Sequence, residues 1–190
     1  ACAHRAVQFR RLLSARHVPL RAGREEHVFF LCTVYKMTAR ARVIAVCGGG
    51  GKTTLVKKYP TQFLDIDAHV WSDCNHKWHS AIIAAIERND QTSLHSIYRT
   101  CLMENAEQLR HCGKVILVHH PDNAVWLDAK LLGTMRPSQI LHARNISERS
   151  HSLMMTALES WKNLEAIPGL KEYASHDELE EHILSLVNTA

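Results

Sequence analysis

From Arg42 onward, short β-branched runs alternate with longer stretches in which apolar residues recur at helical spacing. Val43–Cys47 (VIAVC) reads as a buried strand, and Gly51–Lys58 as a short helix that must stop before Pro60. Gln62–Ile66 reads as a second strand. Trp78, Ile82 and Ile86 share one face of a predicted helix over Lys77–Arg88; Leu94, Ile97, Cys101, Leu102 and Leu109 mark a stripe on another over Ser93–Cys112. Gly113 suits the end of that helix. Lys114–Val118 (KVILV) is the clearest buried strand. A further strand is expected at Ser138–His142, after a helical segment around Leu127–Leu132. Asn145–Lys162 is amphipathic, with Asn145 and Glu148 placed as a cap, and Ser175-x-x-Glu178 forms a capping box for a last helix. Strands alternating with helices imply an α/β fold: three α/β/α layers around a mostly parallel sheet.

Composition adds boundaries to this pattern. The 190 residues are 46% hydrophobic and 22% charged, as one globular domain would be. The longest strand-like apolar run, Val28–Tyr35, falls far short of the roughly 20 residues of a membrane span, so no membrane association is expected. The net charge of +4 is unevenly spread. Residues 1–44 hold nine Arg/Lys against two Glu, whereas residues 45–190 hold fourteen basic and seventeen acidic side chains. The chain therefore divides into a basic N-terminal extension, residues 1–40, and a domain over 41–190. The extension has three readings: an arm contacting nucleic acid, an organelle-targeting segment, or sequence outside the natural mature protein. Six cysteines without disulfide-like spacing fit free thiols in the cytoplasm. Cys74-x-His76-x-x-His79 lacks an identifiable fourth ligand, and zinc is not expected there.

The chemistry concentrates in Cys47-Gly-Gly-Gly-Gly-Lys-Thr-Thr54. Four consecutive glycines are costly in regular structure but suit backbone curled closely around a ligand. Between a strand and a helix, the amides of Gly48, Gly49, Gly50, Gly51, Lys52, Thr53 and Thr54 can cradle phosphates, with the helix dipole behind them. Lys52 supplies a charge for the β- and γ-phosphates of ATP or GTP, and Thr53 a hydroxyl for Mg2+. The pattern G-x-x-x-x-G-K-[ST] wants glycine where Val46 stands.

Strand periodicity would project Asp65 and Asp67 together at the carboxyl end of the second strand, where open α/β sheets bind ligands. One carboxylate could hold Mg2+ and the other orient or deprotonate an acceptor hydroxyl. GKTTLVKKYPTQFLDID resembles the opening of P-loop kinases of the nucleotide, shikimate and polynucleotide kinase group, and within it short viral and phage members. The resemblance implies a Mg-NTP donor and an acceptor near the second-strand aspartates, with Asp65 aiding the metal and Asp67 facing the acceptor. A viral member would act in the host cytoplasm. No acid follows KVILV directly, since His119-His120-Pro121 stands there, which argues against a motor ATPase or helicase.

Arginines complete such sites by neutralising transferred charge. Arg149 falls on the predicted apolar stripe of the Asn145–Lys162 helix and so needs an anionic partner, a bound phosphate or an internal carboxylate; Arg144 is the second candidate. Arg136 reads as a solvated loop charge. One of His119 and His120 could line the site, with a hydrogen-bonded structural role the simpler reading; Trp71 and Trp126 could stack a base or shape the acceptor pocket, with core or rim packing the simpler reading. Three functions compete: a phosphotransferase acting on a nucleoside, nucleotide or polynucleotide, an accessory NTPase without a small-molecule acceptor, and a nucleic-acid-binding module using the basic arm.

Overall fold

The protein is described by a computed structural model over residues 40–190; the basic arm and the Val28–Tyr35 run lie outside the described residues. Five strands form one sheet: β1 (Arg42–Val46), β2 (Phe63–Asp65), β3 (Val115–Val118), β4 (Lys130–Pro137) and β5 (Lys171–Tyr173). Their order is β2–β3–β1–β4–β5, and every pairing is parallel. Central β1 is wholly apolar after Arg42 because both its faces are covered. Val43 and Ala45 enter a core with Ile66, Ile82, Leu102 and Leu109, while Ile44 and Val46 enter another with Leu55, Leu141, Leu179 and Ile183. These two cores are the interfaces of the expected three-layer α/β/α architecture.

The helices are α1 (Lys52–Lys58), α2 (Ile66–Val70), α3 (His76–Glu87), α4 (Gln91–Glu104), α5 (Ala106–Arg110), α6 (Asp122–Trp126), α7 (Gln139–Ile146), α8 (His151–Asn163) and α9 (His176–Thr189). The predicted helix over Ser93–Cys112 is two, divided at Asn105, whose amide bonds back to the Cys101 carbonyl at 2.8 Å. None of the described helices is long and apolar enough to cross a membrane.

Two expectations fail between residues 127 and 150. The segment around Leu127–Leu132 is not helical, because β4 starts at Lys130; Ser138–His142 is not a strand, because Ser138 caps α7 through its hydroxyl, 3.4 Å from the Leu141 amide. Apolar content misled where a cap decided. The single amphipathic helix over Asn145–Lys162 is also interrupted. α7 ends at Ile146 and α8 begins after Ser150, so Asn145 caps nothing. Arg149, placed by periodicity on an apolar stripe, is exposed in the intervening turn.

Candidate active site

The loop Cys47–Gly51 joins the central strand to α1. Gly49 and Gly51 adopt φ of 78° and 96°, the left-handed region that disfavours side chains. Gly50 is required for space: a Cβ there would lie 2.6 Å from Val46 Cγ1 and 2.9 Å from the Tyr173 hydroxyl. Val46, where the common pattern has glycine, is thus accommodated by a glycine four residues later. The amides of Lys52, Thr53 and Thr54 lie in the first turn of α1, where a helix offers them no internal partner.

The loop's carbonyls are tied outward by residues far along the chain. Gly48 O accepts from His142 Nε2 at 2.8 Å, Gly49 O from Asn145 Nδ2 at 2.9 Å, and Gly50 O from the Tyr173 hydroxyl. The Gly48 amide donates to Ser160 Oγ at 3.1 Å. Burial pushes the pKa of His142 down, against the Gly48 hydrogen bond that works to raise it, and so favours an uncharged ring that donates from Nε2. Burial likewise raises that of Tyr173, so its hydroxyl keeps the proton it donates.

Lys52 is only 4% exposed, and its ammonium reaches Val46 O at 3.1 Å, Cys47 O at 3.3 Å and His119 Nδ1 at 3.1 Å. An ammonium only donates, so His119 carries its proton on Nε2, which meets Asp67 Oδ1 at 2.5 Å. Tyr98 donates to the same oxygen at 3.1 Å, and Lys52 lies 3.8 Å from Oδ2. Enclosure works to raise the pKa of Asp67, but the Lys52 charge and the hydrogen bonds donated by His119 and Tyr98 oppose it, and the carboxylate is held well below its usual range. Cys47, buried beneath the loop, has its thiol pushed up to about 12 by desolvation and stays protonated.

Both aspartates reach the loop, though not from one strand. Asp65 ends β2 and caps α2, taking the Asp67 amide at 3.1 Å; Asp67 is already in the first helical turn. The expected alternation along a strand is corrected: Ile66 turns the chain, and the two carboxylates take separate stations. The other oxygen of Asp65 accepts from Thr53 Oγ1 at 2.8 Å. This pair of hard oxygen donors at the start of α1 fits a magnesium ion that keeps several waters.

A cavity of about 560 Å³ runs from the loop across the carboxyl ends of β1 and β3. Gly48 to Thr54 and Asp67 line it, as do His119, Tyr98, Trp71, Trp126, Asn145, Arg149 and His176. Thus Lys52, Thr53, Thr54, Asp67 and Arg149 border one space, with Asp65 buried behind Thr53. Arg144 is exposed on α7 and does not line the cavity. Arg136 is not a solvated loop charge. It lies on β4, 8% exposed, chelating Glu172 at 2.8 and 2.6 Å with its guanidinium 4.1 Å from the Trp161 ring. His176 Nδ1, against Gly51, is buried without a hydrogen-bond partner among the described residues.

The residues that position the loop and Asp67, namely Tyr98, His119, His142, Asn145 and Tyr173, were absent from the sequence-based site. Only His119 had a signal, its place directly after a buried strand. Trp71 and Trp126, read from sequence either as pocket residues or as core or rim packing, border the cavity.

No protein-family model and no curated protein matches the chain. Among solved structures, shikimate kinase from Acinetobacter baumannii, in complex with shikimate, is similar with a TM-score of 0.51. The likeness covers 80% of this chain and 94% of that one, at 14% identity. The chain has a P-loop kinase-like fold. A gluconokinase from Sinorhizobium meliloti 1021 has a TM-score of 0.48 at 15% identity, over 80% and 94% of the respective chains. At such identities only the architecture of the P-loop kinase-like domain carries over; its chemistry rests on the residues above.

Proposed function

We propose that the protein is a phosphotransferase that moves the γ-phosphoryl group of ATP or GTP to a hydroxyl of a nucleoside, nucleotide or polynucleotide. The observation that supports this most is Lys52, a buried ammonium shared between the glycine loop and the Asp67–His119 pair. Donor and acceptor functions meet at that one group. Loop amides and Lys52 bind the phosphates, and Thr53 with Asp65 would hold Mg2+. Bound there, the metal supplies positive charge to the phosphate oxygens.

In the transfer, the acceptor oxygen forms the new O–P bond while the bond from the γ-phosphorus to the β–γ bridging oxygen breaks. The nucleoside diphosphate leaves with that electron pair. Asp67 Oδ2, which the hydrogen bonds of His119 and Tyr98 leave free, orients the acceptor hydroxyl and receives its proton. Phosphoryl transfer is chiefly positioning and charge neutralisation, so a carboxylate of low basicity suffices. Arg149 borders the cavity and is suited to the transferred charge. A chamber lined by Trp71, Tyr98 and Trp126 beyond Asp67 favours an acceptor over hydrolysis alone.

The test is product analysis with Mg-ATP and Mg-GTP against nucleosides, nucleotides and 5′-hydroxyl oligonucleotides. Lys52→Ala should abolish both nucleotide binding and transfer. Asp67→Asn should lower kcat by about 10²–10⁴-fold while sparing nucleotide affinity. Phosphate release without acceptor phosphorylation would instead establish an NTPase, and undiminished transfer by Asp67→Asn would remove Asp67 from the mechanism.

A further inference from the structure

Away from the loop the cavity is bounded by Trp71, Ile86, Leu94, His95, Tyr98 and Trp126, a chamber beyond Asp67. Its aromatic walls are held by one another. The His95 and Trp126 rings meet edge-on at 4.8 Å and 80°, and Tyr98 meets His119 at 5.8 Å and 72°. Tyr98 is further fixed by its hydrogen bond to Asp67. Such rings accept a planar partner by stacking or edge contact.

The charges in the cavity lie elsewhere. Among the described lining residues the lysine and arginine side chains are Lys52 and Arg149 alone. Lys52 is engaged by the loop carbonyls and Asp67. Arg149 stands in the turn between α7 and α8, on the side of the cavity where Asn145 holds the loop. A carboxylate or phosphate on an acceptor in the chamber would have no guanidinium or ammonium partner among the described lining residues there and would approach the ionised Asp67. Burying an unpaired charge beside a like charge is strongly unfavourable.

We infer that the chamber selects an uncharged alcohol carrying a planar ring, which nucleosides and simple aryl alcohols both supply. The inference rests on the phosphotransferase reading for what happens to the hydroxyl, and on the chamber alone for what binds. It excludes nucleotides, polynucleotides and hydroxy acids as preferred acceptors.

Two matched pairs test it on the full chain at pH 8, where ordinary imidazoles are uncharged: thymidine against thymidine 5′-monophosphate, which keeps a free 3′-hydroxyl, and benzyl alcohol against 4-(hydroxymethyl)benzoate. Binding is read first without nucleotide, by quenching of tryptophan fluorescence. In at least one pair the neutral member should bind at least about tenfold more tightly than the anion, and the pair that binds identifies the source. Equal or tighter binding of the anions, or no binding in either pair, overturns the inference. His95→Arg, at an exposed position that tolerates a larger side chain, should shrink the discrimination by about tenfold; unchanged discrimination would count against the chamber. Mg-ATP is then added and products are weighed by mass spectrometry. Neutral ligands that bind but are never phosphorylated would remove the phosphotransferase reading and leave the chamber standing. Preferential phosphorylation of the anions would do the reverse.

Discussion

The two ends of the cavity are made of different material. At the loop end, backbone faces the ligand: five consecutive residues curl, and their carbonyls are tied back by His142, Asn145 and Tyr173. At the chamber end, side chains from α3, α4, α6 and the turn after α2 do the facing, and the walls are aromatic. A backbone cradle recognises what every nucleoside triphosphate has in common. A side-chain chamber can be altered one residue at a time, so under the proposed function acceptor choice could change without disturbing donor binding.

That contrast predicts unequal responses to substitution. The largest should come from Gly50→Ala, whose Cβ has no room against Val46 Cγ1 and Cys47 O. It should cost about 1–3 kcal/mol of stability and abolish nucleotide binding, read by thermal unfolding and calorimetry. Gly48→Ala, with its nearest neighbour at 3.5 Å, is the control and should be mild. If the two variants behaved alike, loop geometry would not be what binds the donor.

Separability is tested next. Trp126→Ala should raise the acceptor KM several-fold with nucleotide affinity unchanged, whereas Asn145→Ala should weaken nucleotide binding by about tenfold, leaving acceptor binding intact. Each measurement is a titration of one ligand. Equal effects on both ligands from either variant would mean that the two ends are one unit.

The smallest effect concerns pH. Burial lowers the pKa of His69, His120 and His142, so below the unfolded value near 6.5 the unfolded chain binds more protons than the folded one. Stability therefore rises with pH through this window and is lost on acidification; Tm at pH 5.5 should lie roughly 2–4 °C below that at pH 7.5. His142→Gln, which can still donate to Gly48, should reduce the difference. A Tm that rose on acidification would contradict the buried, uncharged state of these rings.

How much of this was legible in the sequence follows the same division. The loop is contiguous, so strand, glycines, lysine and threonine could be read together. Asp65 and Asp67 were also visible, but not the turn that separates their tasks, because Asp65 serves as both strand end and helix cap. The carbonyl ties were invisible: they join positions 94, 96 and 123 residues apart, and no local pattern marks them. β4 was missed because KLLGTMRP mixes glycine and arginine into a strand, and that arginine's partner, Glu172, lies on a neighbouring strand. Trp71 and Trp126 could be read either as pocket or as packing residues because a cavity wall and a core ask for the same side chains.

Lys52 has one further consequence. Its ammonium helps to hold the Asp67 carboxylate ionised, yet it is also the group a polyphosphate attracts. Under the proposed function, arriving donor phosphates would compete for that charge, and whatever attraction Asp67 lost would become greater affinity for a hydroxyl proton. In the proposed reaction one side chain would thus couple arrival of the donor to the strength of the base, and an acceptor entering ahead of the donor would meet its weaker form.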